Sequence, residues 1–266
     1  MNPSEIEALF ARTLVGDPDG DESWEAIWKL RRNGSREIFD RAAAWCKSED
    51  PLKRARAADV LCQLHRARRP NQSVGETEWL FRDESYSLIV KMLEDEQDRL
   101  VLDSAISGLG HLDDARAVPV ILRYQDHPDE NVRFAAAFAL CSLPNEAQSV
   151  LGLLKLTRDP DADIRDWAVF GLGVLGDADA PEIREALLRC LNDTNEDVSE
   201  EAAVGLGKRQ DQRVIPWLQT MLDGSELTVR ARETAAGLLG LDEKNLCGWT
   251  AADYRSALAD KFNLQR

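Results

Sequence analysis

The chain is poor in the groups that most chemistry uses. Its 266 residues hold three histidines, His65, His111 and His127, none of them in an HExxH string or a two-histidine helical pair. Five cysteines, at positions 46, 62, 141, 190 and 247, are an odd number without a CxxC pair. That argues against a disulfide framework or a thiolate zinc site and fits a reducing cytoplasm. No GxGxxG dinucleotide loop, Walker-type GxxxxGK loop or serine nucleophile elbow occurs. No apolar run approaches the roughly 18 residues of a membrane span. The opening residues, MNPSEIEALFARTLVGDPDG, lack a basic start and an apolar centre, so no signal peptide is expected. Cations are outnumbered: Lys+Arg 33 stand against Asp+Glu 48, a formal net charge of −15. Such a surface repels phosphate, which disfavours nucleic acid and anionic membrane as partners. These gaps predict a cytoplasmic, monomeric, non-catalytic chain with no cofactor and no metal.

What the chain has is a repeat. The segments RARAADVLCQL, LDSAISGLGHL, RFAAAFALCSL, RDWAVFGLGVL, SEEAAVGLGKR and RETAAGLLGLD align with alanine in one column: Ala57, Ala105, Ala136, Ala168, Ala202 and Ala235. Four places on, the column is leucine: Leu61, Leu109, Leu140, Leu172, Leu206 and Leu239. The next column is Cys62, Gly110, Cys141, Gly173, Gly207 and Gly240. Successive alanines are 48, 31, 32, 34 and 33 residues apart, and a degenerate copy with Ala26 and Leu30 precedes them. A fixed period of this length marks a stacked-repeat architecture. Alanine and leucine at i and i+4 share a helical face, and second helical stretches lie between the copies. Asp50-Pro51, His127-Pro128-Asp129 and Asp159-Pro160-Asp161 supply helix starts, as do Pro119, Pro181 and Pro216. No stretch alternates like a strand, so the expectation is all-α.

The string from Asp159-Pro160 through Ile164-Arg165, Ala168 and Leu172-Gly173 to Leu175-Gly176-Asp177 resembles the HEAT repeat, in the bacterial form known from phycobilin-lyase-like proteins. The likeness extends over residues 20 to 241. It implies a right-handed α-solenoid of about seven helical hairpins over residues 1–266. A degenerate unit at 1–34 begins it, and a capping helix within 244–266 closes it, with Thr250 as its N-cap. It also implies an Asp–Arg ladder between neighbouring units, with Arg54, Arg133, Arg165 and Arg232 as its arginines and Asp159 and Asp193 as its acids. Leu102 and Ser199 stand where two further arginines would. HEAT-fold hydroxylases carry repeated His-Glu pairs, and this chain has none. The long 48-residue step holds an insertion at about 65–80. Its basic run, His65, Arg66, Arg68 and Arg69, is a solvated loop, a contact arm, or a strap on the protein's own acidic surface.

Solenoids expose the second helix of each hairpin on their concave side. On a helical wheel with the ladder arginine as zero, the repeat alanine and leucine point to the core. Residues one, five and nine places on then face away from it. They include Ala55 and Asp59 in an early unit, Asp103 and His111 in the next, then Phe134, Phe138, Asp166, Phe170 and Glu200. Phe134, Phe138 and Phe170, flanked by Trp167, are expected as an aromatic patch rimmed by Asp103, Asp166, Glu200, Glu201 and Glu233. Trp24 and Trp28 are expected to be covered by the N-terminal helix. Two functions fit. One is a non-catalytic interaction scaffold or adaptor for a basic protein or peptide, of which an inhibitor or immunity-type protein is one instance. The other, implied by the resemblance, is a phycobilin-lyase-like or other small-ligand protein. An enclosed pocket would favour the second and an open groove the first.

Overall fold

The computed structural model describes residues 1–17, 20–66, 78–224, 226–241 and 248–264. Among them lie fifteen α-helices and no strand, only two isolated bridges, Asn33 with Arg66 and His65 with Trp79. No helix among the described residues is long and apolar enough to cross a membrane. The chain forms two compact units, Met1–Ser142 and Leu143–Arg266.

The first unit holds four hairpins. They are α1 (Pro3–Arg12) with α2 (Asp21–Arg32), α3 (Arg36–Trp45) with α4 (Pro51–Leu61), α5 (Arg82–Met92) with α6 (Arg99–His111), and α7 (Val118–Ile121) with α8 (Glu130–Cys141). The second holds three and a cap. These are α9 (Ala147–Leu156) with α10 (Ala162–Phe170), α11 (Pro181–Cys190) with α12 (Glu196–Lys208), α13 (Ile215–Leu222) with α14 (Val229–Leu239), and then α15 (Ala251–Phe262). The helices start where the sequence supplies acceptors. Asp50, Asp98, Asp129, Asp161 and Asn195 each take a backbone N–H of the first turn, satisfying donors that helix geometry leaves orphaned. Thr250 and Asp253 form a reciprocal capping box on α15, at the expected N-cap.

Every alanine of the repeat column lies on the second helix of its hairpin and is fully buried, Ala26 included. Within the first unit α2, α4, α6 and α8 pack side by side in chain order, and within the second α10, α12 and α14 do so. The small column after the leucine permits this closeness. A Cβ added at Gly205 would lie 2.6 Å from the Cα of Gly173 on the neighbouring helix. Past Phe170, α10 widens into a π-helical turn at Gly171–Leu175, closed by a bond from Gly176 N–H to the Gly171 carbonyl at 2.8 Å. At the C-terminus α15 seats Tyr254 and Leu258 in the core of the second unit.

Of the insertion expected at 65–80, residues 67–77, with Arg68 and Arg69, lie outside the described residues. Its two ends pair with each other through Leu80 N–H to the Leu64 carbonyl at 2.8 Å and Arg66 N–H to that of Glu78 at 3.2 Å. His65 and Arg66 stay on this stem. His65 sets its ring edge on Trp79, and Arg66 pairs with Glu78.

Candidate functional site

The residues expected to bind a partner divide between the units: Asp103, Phe134 and Phe138 in the first, Asp166, Trp167, Phe170, Glu200 and Glu201 in the second. In the first, Phe134 and Phe138 stand one turn apart on α8, both half-buried, and Asp103 on α6 is half-buried as well. The ring of Phe138 meets His111 edge to face at 5.2 Å. Burial, helped by the nearby Arg31 charge, pushes the His111 imidazole down to about 4 and keeps it neutral.

The open face expected at Ala55 and Asp59 is closed, because both are buried beneath the N-terminal hairpin. Arg56 donates to the carbonyl of Thr13 at 3.1 Å and to the Asp59 carboxylate at 2.9 Å. Arg31, from α2, donates to the Asp59 carbonyl at 2.7 Å and to Gln63 at 2.7 Å. Both guanidiniums sit over the Trp24 ring. Trp28 points the other way and is 52% exposed, against the expectation that it would be covered.

In the second unit, Asp166, Trp167 and Phe170 share α10, and all three are half-buried. The two rings contact edge to face at 6.0 Å. Glu200 on α12 is half-buried, with Arg230 and Glu233 of α14 among its charged neighbours. Glu201 is not on the rim as expected, but 7% exposed, against α14. The wheel treats each helix as if solvent lay beyond its flank, whereas in a stack the neighbouring second helix lies there. Residues two places past the ladder position are therefore buried in five of the six units, at Arg56, Ser104, Ala135, Glu201 and Thr234, while Trp167 in the remaining unit is half-buried. Arg230 on α14 answers Glu201 with one nitrogen and Glu233 with another at 2.7 Å. The second oxygen of Glu201 and Oδ1 of Asp166 are buried without a hydrogen-bond partner. Burial pushes the Glu201 carboxyl up to about 7; Arg230 opposes this and Asp166, Glu233 and Glu200 add to it. Burial likewise raises Asp166, helped by Asp197 and Asp163, and raises Glu200, helped by Glu196.

The repeat arginines are structural at three of the four positions. Arg165 grips Asp193 of the next hairpin with two bonds of 2.8 Å and takes the carbonyls of Asp159 and Pro160 at 2.9 and 3.0 Å. Arg133 takes the equivalent carbonyls of His127 and Pro128. Arg54 does the same with Ser48 and Glu49, and grips Glu96 at 2.7 and 3.0 Å. Asp159 is buried and accepts the N–H of Asp161 at 3.0 Å, while Arg232 is exposed. Sequence reasoning missed Glu96, although its place two residues before the N-cap Asp98 matches that of Asp159 and Asp193 before theirs. It also missed Arg209. This buried guanidinium gathers the carbonyls of Leu172, Gly173, Gly176, Ala178 and Gly205 at 2.6–3.3 Å. Carbonyls leave no side-chain signal to read.

Burial raises the thiols of Cys46, Cys62 and Cys190. Cys62 and His111 line one cavity of about 100 Å³, yet burial drives the thiol up to about 11 while the imidazole stays neutral. Both shifts disfavour a thiolate–imidazolium pair at neutral pH. Larger cavities lie between α13 and α15, about 540 Å³, and between α9 and α11, about 650 Å³. Neither is lined by the expected binding residues.

A family model for HEAT repeats matches residues 86–151 and 150–238, more than half of the chain. The chain belongs to the HEAT-repeat family. Over 85 residues it is 40% identical to Protein YibA of Escherichia coli strain K12, and equally to that of strain O157:H7. That stretch takes in 32% of this HEAT-repeat chain and 30% of YibA, so the match spans under a third of the curated relatives' length. The X-ray structure of Escherichia coli YibA has a TM-score of 0.71 to this chain at 22% identity, covering 100% of this chain and 93% of that one. The two share a fold. The complex of CpcE and CpcF of phycocyanin lyase from Nostoc sp. PCC7120 is 16% identical, covers 96% and 94%, and has a TM-score of 0.48. That likeness is too distant to bear on what this chain does.

Proposed function

We propose that the protein is a non-catalytic interaction scaffold of the cytoplasm that takes a basic protein or peptide on its acidic, aromatic second-helix face. The observation that carries this reading is the second unit's run of carboxylates. Asp166, Glu200, Glu201 and Glu233 gather around one guanidinium, that of Arg230, with Trp167 and Phe170 on the adjoining turns of α10. Negative charge steers a cationic partner, and half-buried rings supply apolar contact for its side-chain stems. The neutral His111 and the raised thiols support a role without chemistry. An inhibitor or immunity-type protein against a cationic target is one form of such a scaffold. A small-ligand role of the lyase kind draws less support, because the larger cavities lie away from these residues.

The test is capture of the partner from the native cell, with wild-type protein and with a Glu200→Gln/Glu233→Gln variant, over a salt series. The proposal expects one basic protein, retained at low salt, released as salt rises and lost by the variant. Recovery of an acidic partner, or binding that strengthens with salt, refutes it.

A further inference from the structure

Glu201 is nine-tenths buried, and only one of its two carboxylate oxygens has a hydrogen-bond partner. Its charged neighbours are Asp166 from α10, Glu200 from α12 itself, and Arg230 and Glu233 from α14. Asp163, Glu196 and Asp197 act on Asp166 and Glu200 from just beyond. Four carboxylates thus face one guanidinium, and two buried oxygens, one on Glu201 and one on Asp166, remain unanswered. Removing a carboxylate oxygen from water without a donor is costly, and a natural chain retains such a group where something else answers it.

The charge left over in this cluster is negative. Resting on the reading that the face takes a basic peptide, we propose that Asp166, Glu200, Glu201 and Glu233 form the receptor for one lysine or arginine side chain of that peptide, taken up beside Arg230. The Arg230 side chain is 30% exposed and that of Glu233 28%, so the outer edge of the cluster is open to a peptide. Trp167 and Phe170 offer apolar surface on the α10 side for the stem of the incoming side chain.

Uptake displaces a proton. With the site empty, burial keeps Glu201 half-protonated near pH 7. A cation on its free oxygen holds it ionised, so binding releases that proton and tightens as pH rises. For a group titrating near 7, linkage gives about tenfold tighter binding at pH 8 than at pH 6.

The test uses the full chain and a blocked hexa-arginine peptide. Calorimetric titration at pH 6, 7 and 8 in buffers of different ionisation enthalpy counts the protons released. Side-chain carboxyl NMR follows Glu201 directly, with and without peptide. The expected result is salt-sensitive binding that tightens about tenfold from pH 6 to 8, with Glu201 titrating well below 7 in the complex. Glu201→Gln is expected to abolish the pH dependence. Asp166→Asn, which leaves the Arg230 ion pairs in place, should weaken binding and reduce proton release. A control that removes equal charge elsewhere, Glu22→Gln on α2, should keep both. Salt-sensitive binding with no proton release and an unmoved Glu201 resonance overturns this inference and leaves the scaffold reading standing. No binding at any of the three pH values overturns both.

Discussion

Gly207 offers a sharp test of how the second helices are held together, because two well-known effects oppose each other there. It lies inside α12, where replacing glycine by alanine ordinarily stabilises a helix by about 1 kcal/mol. Here the new Cβ would lie 2.5 Å from the carbonyl oxygen of Thr234 and 2.9 Å from its Cα. Ordinary contact begins near 3.4 Å, so α12 and α14 would have to part locally by about 0.9 Å (3.4 less 2.5). The obstacle is helical backbone, which no rotamer change can move aside. Overpacking of this kind costs about 1–3 kcal/mol, which outweighs the propensity gain. Gly207→Ala is therefore expected to lose up to about 2 kcal/mol net, a fall in Tm of up to several degrees. Gly108→Ala is the companion. Its Cβ would meet the Cys62 Cβ at 3.2 Å and nothing else closer than 3.7 Å, so it should be near neutral. Urea and thermal unfolding of both variants by far-UV circular dichroism decide the matter. A Gly207→Ala protein at least as stable as wild type refutes the close α12–α14 approach.

Other outcomes follow from the same packing and charges. Ala168→Phe, at a fully buried repeat alanine, should lose roughly 1–3 kcal/mol or more in chemical unfolding; an unchanged midpoint would place the register elsewhere. Arg209→Met leaves five carbonyls without their donor and should lose about 3–5 kcal/mol, read from the same curves. Asp211 is held down to about 2, first by its hydrogen bond to Arg213. It therefore stabilises above its unfolded pKa near 3.8 and loses this as pH falls through 2. Asp211→Asn should flatten that acid limb by about 1–2 kcal/mol. Glu201 has the opposite sign. Its folded pKa is raised to about 7, so stability falls as pH climbs from about 4.5 past 7, by at most ~3 kcal/mol. Unfolding at pH 5 and pH 8 should show the loss in wild type and not in Glu201→Gln.

The hairpin order was legible because close packing imposes itself on residue type. Only alanine fits where Ala57 to Ala235 meet the next helix, and so the column recurs at every turn of the stack. Exposure along the second helices was less legible. A single-helix wheel sees where Glu201 leaves the core direction but not that α14 stands beside it. The same blindness put Asp59 in an open groove, where in fact Arg31 and Arg56 enclose it. The Arg165–Asp193 grip could be read from its motif, whereas Glu96 fills the same place with a longer acid and so broke the pattern.

The two ways in which arginines fasten one hairpin to the next have different consequences for how the protein can change over time. Where Arg165 reads a carboxylate, Asp193 cannot be replaced without a matching change at the other end, and the two positions must drift together. Where Arg209 reads main-chain oxygens, the bonds ask nothing of the side chains that carry them, so change from Leu172 to Ala178 is limited by packing, as at Leu172 and Gly173, and not by the arginine. In a stack of related chains the first joint should show up as linked substitutions. The second should show up as one steady arginine with no residue whose changes are linked to it.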